Sequence, residues 1–348
     1  MGLFLLPLQF STRSAVARLS FLRSLHSLHA LCPSRRAAAV AMATNANYSD
    51  PVPQGKEVVE GCQLEHGELH NGSIKIHFVE CGEPTGELVL MLHGFPNFWY
   101  VWKNQFKFLS DLGYHVIAPD LRGFNASSKP RGIANYSRAS MISDVVLLID
   151  HFGRGKPALV VGHDWGGALA WALSEDMPTR LSKLVVVNSP HPARLSNSLR
   201  SNYRQMLRSW YIFFFQLPFV PELWIKFNSY QVLRNICRNG YRRSLCEEDI
   251  QRHLEAYSDP EAVHASLNLY RAGFSNYWSS PYSGTKITIP VTVIWGEPDK
   301  FLLSELAEPP KELVSKASVL WVPEASHWPM WDMPDLFNSL LQQSLIDN

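Results

Sequence analysis

Cysteine is scarce in this sequence and is not arranged for metal binding. Five cysteines are spread over 348 residues, and no two of them form a C-x-x-C pair. An odd number without such spacing argues against a disulfide framework and against a zinc site, and it favours a reducing compartment. The sequence therefore predicts no metal centre.

Net charge and long apolar runs are lacking as well. The chain has 32 basic and 31 acidic residues, a formal charge of +1. This near-balance provides no overall field for a nucleic acid or an anionic membrane. No apolar run approaches the roughly 20 residues that a transmembrane helix needs. Apolar residues make up 46% of the chain and aromatic residues 12%, so disorder, collagen and coiled coil are excluded and a large globular core is expected.

The first 49 residues differ in composition from the rest. They contain no acidic residue and no lysine, but five arginines and many serines, alanines and leucines. An arginine- and serine-rich leader without acids is typical of an organellar transit peptide. We therefore expect import into an organelle, the mitochondrion before the plastid. The alternatives are a disordered extension, or translation from Met42, which would leave the protein in the cytoplasm.

Short apolar runs alternate with stretches of helical spacing through the body of the chain. The runs cover residues 73–79, 88–92, 115–118, 158–161, 183–187, 291–295 and 318–322. Continuous apolar strands separated by helices indicate a parallel sheet covered on both faces. The alternation stops between about His191 and Tyr282, where the pattern is helical and aromatic. The expected organisation is a leader at 1–49, a core at 50–190 and 283–348, and an inserted α-helical lid at 191–282.

The segment Gly162-His-Asp-Trp-Gly166 follows one of these strands and precedes a helical stretch. A G-x-nucleophile-x-G turn at this place is a nucleophile elbow, here with Asp164 in the middle. The flanking glycines are needed because the turn is too tight for side chains. The alternative is that Asp164 is an ordinary helix N-cap.

Three further segments end strands in the same way. His93-Gly-Phe-Pro96 follows the strand at 88–92, and we expect the backbone N–H groups of Phe95 and Trp165 to form an oxyanion site. Asp299 follows the strand at 291–295, and His327 follows the strand at 318–322. The carboxyl ends of parallel strands meet at one edge of a sheet. The order nucleophile, acid, histidine is the one that accompanies this elbow.

These motifs resemble those of the α/β-hydrolase fold, in the epoxide hydrolase branch with an Asp nucleophile. The resemblance covers roughly residues 55–345 and departs from the usual pattern at Asn125, where the family has glycine. It implies a mostly parallel eight-stranded sheet with an inserted α-helical lid and no cofactor. It also implies that Asp299, rather than Glu297, is the acid that pairs with the histidine. The matching segments are His93–Pro96 with 98–102, Asp120–Gly123, Gly162–Gly167 and Ala325–Trp328.

An aspartate nucleophile narrows the class of substrate. A serine that attacks saturated carbon would form an ether, whereas an aspartate forms an ester that water can hydrolyse with histidine as base. The electrophile is then an epoxide or an alkyl halide. An opening epoxide needs an acidic O–H donor, and the segments around Tyr211 and Tyr270 resemble those that carry the ring-opening tyrosines of epoxide hydrolases.

The expected function is hydrolysis of a small apolar lipid or xenobiotic epoxide to a vicinal diol. In this hypothesis Asp164 attacks carbon, and His327, oriented by Asp299, activates the water. Tyr211 and Tyr270 protonate the oxygen of the epoxide. Phe95, Pro96 and Trp165 are expected to line the substrate and oxyanion site. The alternatives are a haloalkane dehalogenase that uses the same nucleophile, and a hydrolase-fold protein that binds a small ligand without turnover.

Overall fold

The computed structural model describes residues 51–242, 245–278 and 285–346. The predictions for the leader, for Met42 and for the end of the lid at residue 282 fall outside these ranges. Within them, no helix is both long and apolar enough to cross a membrane.

The described residues form a mixed sheet of nine strands in the order β1-β2-β3-β5-β4-β6-β7-β8-β9. The pairs from β1 to β5 at one end are antiparallel, and every pair from β5 through β4 to β9 is parallel. The strands are β1 (Val52–Val59), β2 (Cys62–Asn71), β3 (Ile74–Gly82), β4 (Leu88–Leu92), β5 (His115–Pro119), β6 (Ala158–His163), β7 (Leu181–Val187), β8 (Val291–Gly296) and β9 (Ala317–Val322).

This is one strand more than the expected eight, and the sequence pattern missed β1 and β2. In β1 almost every residue is exposed, so it has no apolar run. In β2 only alternate residues are buried, as in an antiparallel strand with one solvated face. By contrast, β4, β5, β6 and β8 are buried along their whole length. These central strands are the ones that appear as continuous apolar runs.

Eleven α-helices complete the described part of the chain. Helix α2 begins after Ser137, whose hydroxyl accepts a hydrogen bond from the N–H of Ser140, the usual capping contact. The helices are α1 (Lys103–Asp111), α2 (Arg138–Phe152), α3 (Trp165–Asp176), α4 (Pro192–Ser201), α5 (Tyr203–Arg208), α6 (Trp210–Phe214), α7 (Val220–Asn239), α8 (Glu247–Glu255), α9 (Ala262–Trp278), α10 (Pro329–Asp332) and α11 (Pro334–Ile346).

Helices α4 to α9 lie between β7 and β8 and form what we call the helical insertion, Pro192–Trp278. Helix α7 is interrupted by non-helical backbone from Phe227 to Tyr230. The insertion packs over the carboxyl ends of the parallel strands, since Phe215 and Tyr270 contact Phe95 there. Its position agrees with that of the predicted lid, whose boundaries stay a prediction.

Candidate active site

Asp164 occupies a strained turn between β6 and α3. Its backbone has φ +52° and ψ −118°, a conformation that non-glycine residues rarely adopt. A Cβ atom at Gly162 would lie 2.5 Å from the carbonyl oxygen of Gly166, so neither end of the turn has room for a side chain. The carboxylate makes none of the capping hydrogen bonds expected of a structural N-cap. The turn instead presents it at the carboxyl edge of the sheet.

Two backbone N–H groups hold this carboxylate. The N–H of Phe95 donates to Oδ1 of Asp164 at 2.8 Å, and the N–H of Trp165 also donates to the carboxylate. Gly94 permits this approach, because a Cβ there would lie 2.2 Å from Oδ1 of Asp164. Pro96 is buried and joined to Phe95 by a cis peptide bond. Pro96 itself has no N–H to donate, so it lies in the site next to Phe95, whose N–H is the donor.

His327 lies between Asp164 and Asp299. Its Nδ1–H donates to Oδ2 of Asp299 at 2.6 Å, and its Nε2 is 3.5 Å from Oδ2 of Asp164. Glu297 is exposed, whereas Asp299 is buried, so the geometry places Asp299 beside the histidine. The structure thus brings together three side chains that the sequence places 135 and 28 residues apart.

Accessibility differs sharply among these three groups. The side chain of Asp164 is 18% exposed, against 4% for His327 and 0% for Asp299. A small molecule can therefore reach the first carboxylate but not the second. The arrangement suits attack by Asp164, with His327 and Asp299 behind it.

Neighbouring charges shift the pKa values of Asp164 and His327. Burial alone would raise the pKa of Asp164, but the hydrogen bond and positive charge of His327 hold it below its usual range. Burial alone would lower the pKa of His327, but Asp299 and Asp164 raise it to about 10. His327 is therefore a charged imidazolium beside the carboxylate of Asp164 at neutral pH.

Tyr211 on α6 and Tyr270 on α9 stand over this site from the helical insertion. Their ring centroids are 6.1 Å apart, and the ring of Tyr270 packs 5.4 Å from Phe95. The indole of Trp165 packs 4.9 Å from Tyr270 and donates a hydrogen bond to it. Burial, and secondly the negative charge of Asp164, raise the pKa of both phenols. Both tyrosines are therefore protonated donors at neutral pH.

Four residues at the site were missed by the sequence analysis. Asn188 donates to Oδ2 of Asp299 at 2.8 Å, and the ring of Phe301 lies between Tyr211 and His327. Arg208 donates to the carbonyl oxygen of Asp299 at 2.7 Å, and Tyr257 packs against Phe95. Asn188 directly follows β7, so a search for polar residues at the ends of strands would have found it. The others act through packing or backbone contacts that leave no motif.

Asn97 is near the site but is occupied elsewhere. Its amide donates to the hydroxyl of Tyr241 at 2.9 Å and lies 3.1 Å from His253. Its oxygen accepts from the indole of Trp328 at 2.7 Å. Asn97 therefore joins the loop of Phe95 to the loop of His327 and does not face the substrate side.

No group of three potential metal ligands is present in the part of the chain that the structure describes. The site offers the carboxylate of Asp164, the imidazole of His327, two phenols and two backbone N–H groups.

The fold and this site define an α/β hydrolase, and comparisons with known proteins agree. The model of the α/β-hydrolase fold family matches residues 87–334. The chain is 35% identical to human epoxide hydrolase 4 over 281 residues, which are 78% of this chain and 76% of that protein. It is 40% identical to the AB hydrolase superfamily protein YfhM of Bacillus subtilis over 278 residues, 80% of this chain and 96% of that protein.

A solved structure gives the same result. A mutant epoxide hydrolase from Bacillus megaterium, crystallised with its diol product, superimposes with a TM-score of 0.71 at 28% identity, over 84% of this chain and 100% of that one. The chain belongs to the epoxide hydrolase family of the α/β-hydrolase fold. The predicted fold class and family are thereby confirmed.

Proposed function

We propose that this enzyme hydrolyses epoxides to vicinal diols through a covalent ester of Asp164. The observation that carries the proposal is the setting of Asp164, a reachable carboxylate at a nucleophile elbow. Backbone N–H groups hold its Oδ1, His327 faces its Oδ2, and two tyrosines cover it. The relatives named epoxide hydrolase support the same reaction.

In the first step, Oδ2 of Asp164 forms a bond to one carbon of the epoxide while the bond from that carbon to the ring oxygen breaks. The oxygen takes a proton from Tyr211 or Tyr270, which becomes a tyrosinate. The ring oxygen leaves as an alkoxide unless it is protonated, so the two phenols act as general acids.

Formation of the ester changes the charge that the other groups experience. Asp164 becomes neutral, and its negative charge no longer raises the pKa of His327 and of the two tyrosines. The imidazolium can then return a proton to the tyrosinate. His327 becomes the neutral base that the second step requires.

In the second step, His327 takes a proton from water as the water oxygen attacks Cγ of Asp164. Negative charge develops on the ester oxygen that the N–H groups of Phe95 and Trp165 already hold. The bond between Cγ and Oδ2 breaks, so Oδ2 leaves as part of the diol, and the protonated Asp164, which now contains the water oxygen, gives its proton to the diol. Carboxylate, imidazolium and phenols are thus restored.

Two observations favour this function over a haloalkane dehalogenase. Halide stabilisation needs free N–H donors, but the indole of Trp165 donates to Tyr270. The amide of Asn97 is used by Tyr241, His253 and Trp328. A protein that only binds its ligand would have no need to hold Asp164 in a strained backbone conformation with a charged histidine beside it.

Isotope transfer in a single turnover tests the ester. With enzyme in excess over an aryl epoxide in H₂¹⁸O, the water oxygen should enter the carboxylate of Asp164, and the first diol should be unlabelled. Mass spectrometry of the peptide that contains residue 164 measures this. Label found only in the diol would show that water attacks the epoxide directly, and the ester mechanism would be discarded.

Two amide variants separate the acids at the site. Asp164→Asn should abolish diol formation, with the intact mass checked for deamidation, and Asp299→Asn should slow it strongly. The matched control is Glu297→Gln on the same loop as Asp299, which should keep the parent rate. Halide release from 1-bromobutane, measured alongside, should be negligible for all of them.

A further inference from the structure

The helical insertion carries an unusual concentration of exposed apolar side chains. Ten of the 17 exposed large apolar residues among those described fall between 203 and 227. The region includes a contiguous aromatic cluster, since Trp210 packs 6.0 Å from Trp224 and both contact Phe214. We call this the insertion surface, and its principal residues are Leu207, Trp210, Phe219, Leu223, Trp224 and Phe227, which are 39 to 74% exposed. Contiguous patches of this kind mark interaction sites.

The charge of this part of the chain is strongly positive. Residues 191–240 contain seven basic side chains and one acidic side chain, Glu222, whereas the body from residue 50 onward has 27 basic and 31 acidic residues. Glu222 is only 12% exposed and pairs with Arg271 at 2.8 Å and with His264 at 2.9 Å. Arg204 is exposed on α5, between Tyr203 and Leu207. Within residues 191–240, exposed apolar groups are thus combined with cations, and the single carboxylate is mostly buried.

Phe219 is held at the tip of this surface at a cost in backbone energy. It is 74% exposed and has φ +62°, a region unfavourable for a bulky side chain. Because the ring of Phe219 is not buried, its packing does not offset the backbone strain. Strained residues of this kind persist where they serve a function.

We infer that the insertion surface binds the surface of an anionic phospholipid bilayer. Tryptophan and phenylalanine with flanking cations are the composition of proteins that lie in the membrane interface, and each cation near an anionic leaflet adds to binding. A second copy of the chain fits less well, because a symmetric contact would bring two such positive surfaces together. The insertion surface lies on the membrane through Trp210, Phe219 and Leu223.

A fluorophore at the tip tests this in the full chain. The variant Phe219→Cys is labelled with an environment-sensitive NBD group after the exposed Cys246 and the leader residue Cys32 are changed to serine. The control is Val58→Cys, 71% exposed on β1. Vesicles of phosphatidylcholine with 30% phosphatidylserine, used as the probe, should shift NBD emission at position 219 to the blue and leave position 58 unchanged. This comparison isolates the insertion surface even if the arginine-rich leader also binds lipid.

Binding constants for the same vesicles complete the test. Phe219→Ser with Leu223→Ser should weaken binding more than about tenfold, because two apolar side chains no longer enter the lipid. Arg204→Gln should weaken binding to phosphatidylserine vesicles about fivefold and leave binding to pure phosphatidylcholine unchanged. The matched control is Val58→Ser with Ile133→Ser.

Two results would overturn the inference. One is an unshifted NBD spectrum at position 219 together with unchanged binding of the double serine variant. The other is a concentration-dependent dimer that the double variant abolishes in analytical ultracentrifugation without lipid, which would assign the surface to a second copy. Neither readout depends on catalysis, so the proposed function is judged separately.

Discussion

At the scale of single residues, one charge, that of Asp164, affects the protonation of several other groups at the site. The carboxylate of Asp164 contributes to the raised pKa of His327 and of both tyrosines, and in the proposed mechanism it would lose that influence on forming the ester. The motif residues were predictable because each follows a strand whose apolar run is visible in the sequence. Phe301 was not predictable, because it acts by packing between rings, whereas Asn188 directly follows β7 and was overlooked.

The two tyrosines give a prediction at this scale. Tyr211→Phe and Tyr270→Phe should each slow alkylation of Asp164 by about 10²-fold, the effect expected on removal of a general acid. Stopped-flow tryptophan fluorescence with enzyme in excess measures that step. The matched control, Tyr203→Phe, changes a tyrosine that is 70% exposed on α5 and should have no effect. Unchanged alkylation in both site variants would remove the tyrosines from the mechanism.

At the scale of elements, the helical insertion is fixed to the core by a buried ionic contact. Asp249 on α8 accepts hydrogen bonds from Lys103 at 2.9 Å and from the hydroxyl of Tyr100 at 3.0 Å. Its side chain is 8% exposed, and that of Lys103 is 12% exposed. The loss of the strand pattern predicted the insertion. No sequence pattern predicted this anchor, because residues 103 and 249 are far apart in the chain and meet only in the folded protein.

Removal of this anchor should destabilise the protein. Asp249→Ala leaves a buried ammonium short of a partner and should lower the free energy of unfolding by about 3 kcal/mol. The control, Asp111→Ala, breaks an exposed pair with Lys107 on α1 and should change it by less than about 1 kcal/mol. Urea unfolding followed by circular dichroism measures both. Equal effects would mean that the buried contact contributes no more than a surface pair.

At the scale of the whole molecule, composition concealed how charge is distributed. The formal charge of +1 indicated no attraction to membranes, yet residues 191–240 carry a charge of about +6. The sequence predicted that these residues lie in one insertion, and the fold shows that several aromatic rings on it are exposed. The central strands were foreseeable from their apolar runs, whereas exposed β1 had no pattern to detect.

The stability of the whole protein should depend on the charge of His327. Its pKa is about 10 in the folded protein, against about 6.5 in an unfolded chain. Between these values the folded state binds more protons, so this contribution is complete below pH 6.5 and is lost as pH rises toward 10. The Tm of the parent should therefore fall more steeply over that range than the Tm of His327→Gln, as measured by scanning calorimetry. His70→Gln, an exposed change on β2, should keep the parental slope.

The position of β1 at one edge of the sheet indicates where a support or a fusion partner can be attached to this protein. β1 is the first strand in the order of the sheet, and five positions separate it from β6, which directly precedes Asp164. Its residues are mostly exposed, and its pairing with β2 is irregular between Pro53 and Gly55. A solid support or fusion partner joined ahead of residue 51 would be attached at the β1 edge of the sheet. The carboxyl ends of the parallel strands, where the candidate site lies, would stay open for use in a flow reactor.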